Sequence, residues 1–229
     1  MNIRDKLFWL TVFALAFGMV EGAVVVYLRR IYYPEGISLF PLKIFEPDIH
    51  LVELIREAAT LFMLFAVAAA AFQKSILRFA GFIWGFAVWD LVYYLFLKGF
   101  LNWPQSFFEW DVLFLIPVVW ASPVAAPVIC SVTMLFLAGI IFFYSSKNYS
   151  VKFTRLQLWL FISGSLLILI SFIQDYTVLA FSTASEKLQE AVAQFVPQNF
   201  NWLLFCVGEA LILFAVWDLM KKIRTKAGI

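Results

Sequence analysis

Charge is scarce in this chain, and so are the residues that most enzymes use for chemistry. Of 229 residues only 14% are charged and 64% are hydrophobic, against roughly 25% and 45–50% in a soluble domain. One histidine, His50, and two cysteines, Cys130 and Cys206, are present. A single histidine excludes a bis-histidine haem within one chain and leaves no ligand set for a classical zinc site. The cysteines have neither CxxC spacing nor a disulfide framework, and both read as small core residues. GxSxG, HExxH, Walker A and GxGxxG patterns are absent. No cofactor and no metal site is expected. The formal net charge of +2 is too small to suggest nucleic acid.

What the chain has instead is long apolar runs. A membrane span needs about 20 apolar residues, and six can be placed at about Leu7–Leu28, Leu51–Phe72, Ile76–Leu97, Val124–Tyr144, Leu156–Gln174 and Trp202–Leu219. The expected fold is all-α: one polytopic transmembrane helical bundle covering residues 1–229. Arg4 and Lys6 before Leu7–Val20 imitate a signal peptide, but the run continues to Leu28, so a retained first helix is expected. Gly18–Gly22 and Gly81–Gly85 form GxxxG patterns, which read as close packing within the chain.

With the N-terminus inside, the inner segments hold Arg4, Lys6, Lys74, Arg78, Lys147, Lys152, Arg155, Lys221, Lys222, Arg224 and Lys226. The outer side holds Arg29, Arg30, Lys43, Arg56, Lys98 and Lys187. The positive-inside rule then predicts both termini in the cytoplasm, and an inner-membrane location is expected.

Three segments do not read as simple spans or short links. Trp110–Ser145 is too long for one span and is interrupted by Pro117, Pro123 and Pro127. A short re-entrant or surface helix near Asp111–Trp120 before one true span is expected, with a single long kinked helix as the alternative. The loop Arg29–His50 carries Tyr32, Tyr33, Phe40 and Phe45 and is expected to lie on the membrane as a cover. Thr183 and Glu186 have capping-box spacing before Leu188, Ala191, Val192 and Phe195, the pattern of an interfacial helix.

The candidate site is a set of ionisable residues within the runs. Glu53, Arg56, Glu57 and Thr60 share one helix face, on which Glu53 and His50 read as a solvated helix end. Glu21, Arg56, Glu57, Asp90 and Asp111 fall in the outer half, with Tyr94 beside Asp90 and Glu209 approaching from below. Arg56 or Lys98 is the expected partner of Asp90, and Arg56 the expected partner of Asp90 or Glu21. Trp84, Trp89 and Trp120 are candidate cation–π partners. Charged groups at membrane depth usually face the bundle interior and mark function, though an ion-pair network that only ties helices together fits the same residues. The expected ligand is a small cation, a proton or a lipid headgroup, in addition to the surrounding bilayer.

The strings EGAVVVYLRRIYYPEG, REAAT, GFAVWDLVYYLFLK and WPQSFFEWDVLFLIPVVWASPVAAP, within residues 21–127, resemble an uncharacterised family of bacterial multi-pass membrane proteins. That resemblance implies a multi-pass fold and assigns no activity or catalytic residue. Three functions are compatible with the residues: a small permease or ion-coupled transporter, a subunit or assembly factor of a membrane complex, and an intramembrane enzyme acting on a lipid or isoprenoid. The last would use Asp90, Asp111 and Glu57 around a divalent cation, with Arg56 on a phosphate.

Overall fold

The computed structural model describes residues 1–34, 39–43, 46–184 and 187–227. The elements are α1 (Ile3–Tyr32), α2 (Pro47–Ala71), α3 (Ser75–Leu101), β1 (Trp110–Phe114), β2 (Trp120–Pro123), α4 (Ala125–Ser146), α5 (Arg155–Ser182), α6 (Leu188–Gln194) and α7 (Trp202–Ala227). All but α6 and the strands are long and apolar enough to cross a membrane, which makes six spans. The six run alternately up and down. One end of the bundle carries both chain termini; the other carries the β-hairpin and α6.

Local chemistry sets the helix limits. Asn2 caps α1 by accepting the Asp5 N–H at 2.9 Å. Pro47 opens α2, where a missing N–H costs nothing. Thr154 and Gln157 close a reciprocal capping box on α5. Asn102, at φ 52°, ends α3 in the left-handed conformation that asparagine tolerates. The spans extend beyond their apolar windows: Pro47 starts α2 before Leu51, and Asn102 ends α3 after Leu97. Likewise α1 reaches Tyr32 and carries Arg29 within it, and α5 continues past Asp175 to Ser182.

Small residues let the backbones approach. A Cβ at Gly18 would stand 2.7 Å from the Trp89 carbonyl, so α1 and α3 meet only through glycine there. Gly164 of α5 and Gly208 of α7 face each other with the same 2.7 Å approach in both directions. Gly22 meets Phe96, and Gly81 meets Phe72. Both GxxxG patterns are therefore used inside the chain.

The half of the bundle nearest the termini is filled by a dry core that includes Leu10, Phe72, Ile83, Ile141, Val216 and Leu219. On α2 the buried residues are Glu53, Glu57, Thr60, Leu64 and Ala68, one stripe that is polar toward the hairpin end and apolar toward the termini. The other faces of α2 expose Leu51, Ile55, Phe62 and Phe65, as a lipid-facing surface does.

Residues 110–123 are neither a re-entrant helix nor part of one long kinked helix. They form an antiparallel hairpin pairing Trp110 with Pro123, Asp111 with Ser122, Val112 with Ala121 and Phe114 with Trp120, with a bulge between Val112 and Phe114. Proline explains the difference. Pro117 has no N–H and its ring clashes with a preceding helical turn, so the chain turns there and the strands satisfy each other. Pro127 falls in the first turn of α4, where it is tolerated.

Thr183 does not start a helix; it is the C-cap of α5, and the short helix begins at Leu188 after Lys187. Glu186, its proposed capping partner, and Phe45 of the aromatic loop lie outside the described residues.

Candidate functional site

At the hairpin end, α1–α4, the hairpin, α5 and α6 enclose a cavity of about 650 Å³. Of the sequence candidates, Glu21, Arg56, Glu57, Asp90, Tyr94 and Asp111 all line it. Glu209 is not among the lining residues described. It stands behind Cys130, a wall residue, and its carboxylate accepts the Thr133 hydroxyl at 2.9 Å.

The polar wall divides into three groups. In the first, Arg56 bridges two helices. It pairs with Glu21 of α1, and its Nη2 contacts Glu53, one turn earlier on α2, at 2.6 Å. Thr60 supports Glu21 from the other side, its hydroxyl 3.5 Å from the second carboxylate oxygen. Glu53 is therefore a buried partner, 6% exposed, and not the solvated helix end expected from its position. The reason is that α2 begins at Pro47, which draws Glu53 a full turn into the bundle.

In the second group, Arg29 Nη2 meets Asp111 Oδ1 at 3.0 Å, and the Tyr94 hydroxyl donates to Asp111 Oδ2 at 3.1 Å. The Arg29 guanidinium also stacks 3.7 Å above the Trp103 ring. This group joins α1, α3 and β1.

The third group has no arginine bound to it. Glu57 accepts the Leu115 backbone N–H, at 2.9 and 3.0 Å to its two oxygens, and so grips the hairpin turn. Asp90 accepts the Ser131 hydroxyl at 2.7 Å. Asp90 is bound by neither expected cation: Arg56 is taken by Glu21 and Glu53, and Lys98 donates to the Pro104 carbonyl at 2.9 Å. The geometry is simple. Arg56 lies on the α1 side of α2, and Lys98 lies two turns above Asp90, pointing to the loop that follows α3.

Aromatic rings complete the wall. Trp89 and Trp120 line the cavity, whereas Trp84 lies below it and donates to the Thr11 hydroxyl at 2.9 Å. Phe86 contacts Trp89 at 5.4 Å and Phe114 at 6.3 Å, and Phe114 contacts Trp120 at 5.3 Å. The roof includes Leu39, Leu42 and Lys43 from the loop after α1, and Leu188 and Val192 from α6. Tyr33 holds this loop, its hydroxyl accepting the Lys43 N–H at 2.9 Å. Burial pushes the Tyr33 phenol above its usual pKa, more than the Lys43 N–H and the Arg29 charge lower it.

From the sequence Cys130 reads as a core residue, and Arg29, Ser131 and Tyr93 carry no site role, yet all four line the cavity. A signal for Arg29 exists. Glu21, Val25, Leu28 and Arg29 recur at offsets of 4, 7 and 8, one helical face, and all four are wall residues.

Six spans around a buried charged cavity define a multi-pass helical membrane protein. No protein-family model matches the chain, and neither the curated proteins nor the solved structures contain a significant match.

Proposed function

We propose that this protein is a small permease or ion-coupled transporter of the inner membrane, with both termini in the cytoplasm and the cavity open outward. One observation carries the reading: five carboxylates, Glu21, Glu53, Glu57, Asp90 and Asp111, line the cavity together with Arg29 and Arg56. These seven ionisable side chains are costly at membrane depth and are typical of ion and substrate paths. The dry core toward the termini supports access from the hairpin end. The cation balance agrees. Eleven Lys and Arg residues belong to the end with the termini and six to the hairpin end, and two of those six, Arg29 and Arg56, are withdrawn into ion pairs.

An intramembrane enzyme built on Asp90, Asp111 and Glu57 has less support. Those carboxylates serve separate partners, Ser131, Arg29 and Leu115, and no metal-holding group of three or more His, Cys, Asp or Glu occurs among the described residues.

The test is reconstitution in proteoliposomes under an imposed proton gradient. Solute-dependent collapse of the gradient, abolished by Asp90→Asn, is expected. A panel of solutes that never moves, with a stable complex forming with other membrane proteins instead, would select an assembly subunit. Reporter fusions after Lys74 and at Ile229 should both read cytoplasmic.

A further inference from the structure

We infer that the ligand of this cavity is an amphipathic organic cation, an ammonium group carried on an apolar or aromatic body. The inference deepens the transport reading and rests on it for movement across the membrane, but not for binding.

The charges of the wall come first. Arg29 and Asp111 cancel. Arg56 offsets one of Glu21 and Glu53, leaving one negative charge in that trio. Among the described residues, Glu57 and Asp90 accept hydrogen bonds only from neutral donors, the Leu115 N–H and the Ser131 hydroxyl. When ionised, the wall therefore holds more carboxylate than its two guanidiniums balance; its other basic residues described are Lys43, which sits in the roof 5.5 Å from the Tyr33 ring, and His50 at the start of α2. Buried carboxylates must be neutralised by protons or by a cation. An anion finds no arginine with an unpaired charge here: Arg56 is bound to two carboxylates, and Arg29 is paired with Asp111 and stacked on Trp103, with only its Nε and Nη1 left without a hydrogen-bond partner among the described residues.

Size and surface then choose among cations. A cavity of about 650 Å³ lies in the range of sites for small organic molecules and is far larger than a bare ion needs. The run Trp89, Phe86, Phe114 and Trp120 gives a continuous ring surface, and aromatic faces attract ammonium groups. Leu39, Leu42, Leu188 and Val192 make the roof apolar, suited to a hydrocarbon body. A separate observation also points to a ligand. Trp89, 6% exposed, and Trp120 both line the cavity, and the buried Nε1 of each has no partner among the described residues. A buried donor without an acceptor is costly, and an oxygen on the ligand would satisfy it.

Three probes share one skeleton: 4-phenylbutylammonium, 4-phenylbutyrate, and 3-phenoxypropylammonium, in which an ether oxygen replaces one methylene. Titration calorimetry on the full-length protein in nanodiscs should show binding of both ammonium ions and none of the carboxylate. The phenoxy compound should bind more tightly, and Trp89→Phe combined with Trp120→Phe should erase that preference. Asp90→Asn and Glu57→Gln should each weaken ammonium binding about tenfold or more. Equal or stronger binding of 4-phenylbutyrate to the native protein overturns the inference without reference to any variant. Uptake of some other solute with no ammonium binding also overturns it and leaves the permease reading standing. Ammonium binding that is never followed by uptake keeps the ligand class and removes the permease reading.

Discussion

Arg29 and Asp111 meet at 3.0 Å with only 6% and 1% of their side chains exposed, and so fasten the hairpin to the first helix. Removing one member leaves the other charged, buried and unpaired, which costs about 3–5 kcal/mol. Arg29→Met and Asp111→Asn should each lower the thermal unfolding midpoint strongly. Combining Arg29→Met with Asp111→Asn should recover part of the loss, because the stranded charge is gone. A double-mutant cycle with no coupling would mean that the pair does not act as a unit.

The six spans were legible because apolar run length depends only on composition and the thickness of the bilayer. The hairpin was not. WDVLF and WASP are short, and their pairing depends on contacts that no window of sequence contains. Pro117 marked a break, but a break does not say what replaces the helix. The depth of Glu21, Arg56, Glu57, Asp90 and Asp111 was readable from position along each run, and those residues do line one cavity. Their partners were not readable, since they depend on the rotation of each helix. Arg56 has taken Glu53 from its own helix as well as Glu21, and Asp90 has a serine. Arg29 reads as a loop residue because a charge at the end of an apolar run looks like the end of the helix, whereas α1 continues to Tyr32.

The grip of Glu57 on Leu115 gives a prediction about the hairpin alone. Glu57→Ala leaves the half-buried Leu115 N–H without its acceptor, at a cost of about 1 kcal/mol. Hydrogen exchange of a peptide spanning residues 112–120 should speed up by about tenfold or more. Glu53→Ala is the control, since Glu53 binds Arg56 and makes no described bond to the hairpin. Equal acceleration in both variants would point to general loosening of α2 instead.

The contact between α5 and α7 depends on two glycines. A methyl group at Gly164 or at Gly208 would meet the opposing backbone carbonyl at 2.7 Å, and backbone cannot step aside as a side chain can. Gly164→Ala and Gly208→Ala should each destabilise the protein by about 1–3 kcal/mol. An unchanged unfolding midpoint in both variants would show that the two helices are not in such close contact.

Proton competition gives the last prediction. Glu57 is faced by Arg56 and Glu53 from its own helix, by Glu21 from α1 and by the Leu115 N–H from the hairpin. Asp90 is faced by Ser131 and Cys130 from α4, by Asp111 from β1 and by Tyr94 from its own helix. An ammonium ligand favours the ionised form of both carboxylates, and protons favour the neutral form. Linkage then requires ligand binding to release protons and acid to weaken binding. The affinity for 4-phenylbutylammonium should fall as the pH is lowered. Calorimetry in buffers of different ionisation heat should show proton release on binding, with a smaller release in Asp90→Asn. A pH-independent affinity with no proton release would mean that neither carboxylate neutralises the ligand, and the cation would then have to be held by the aromatic wall alone.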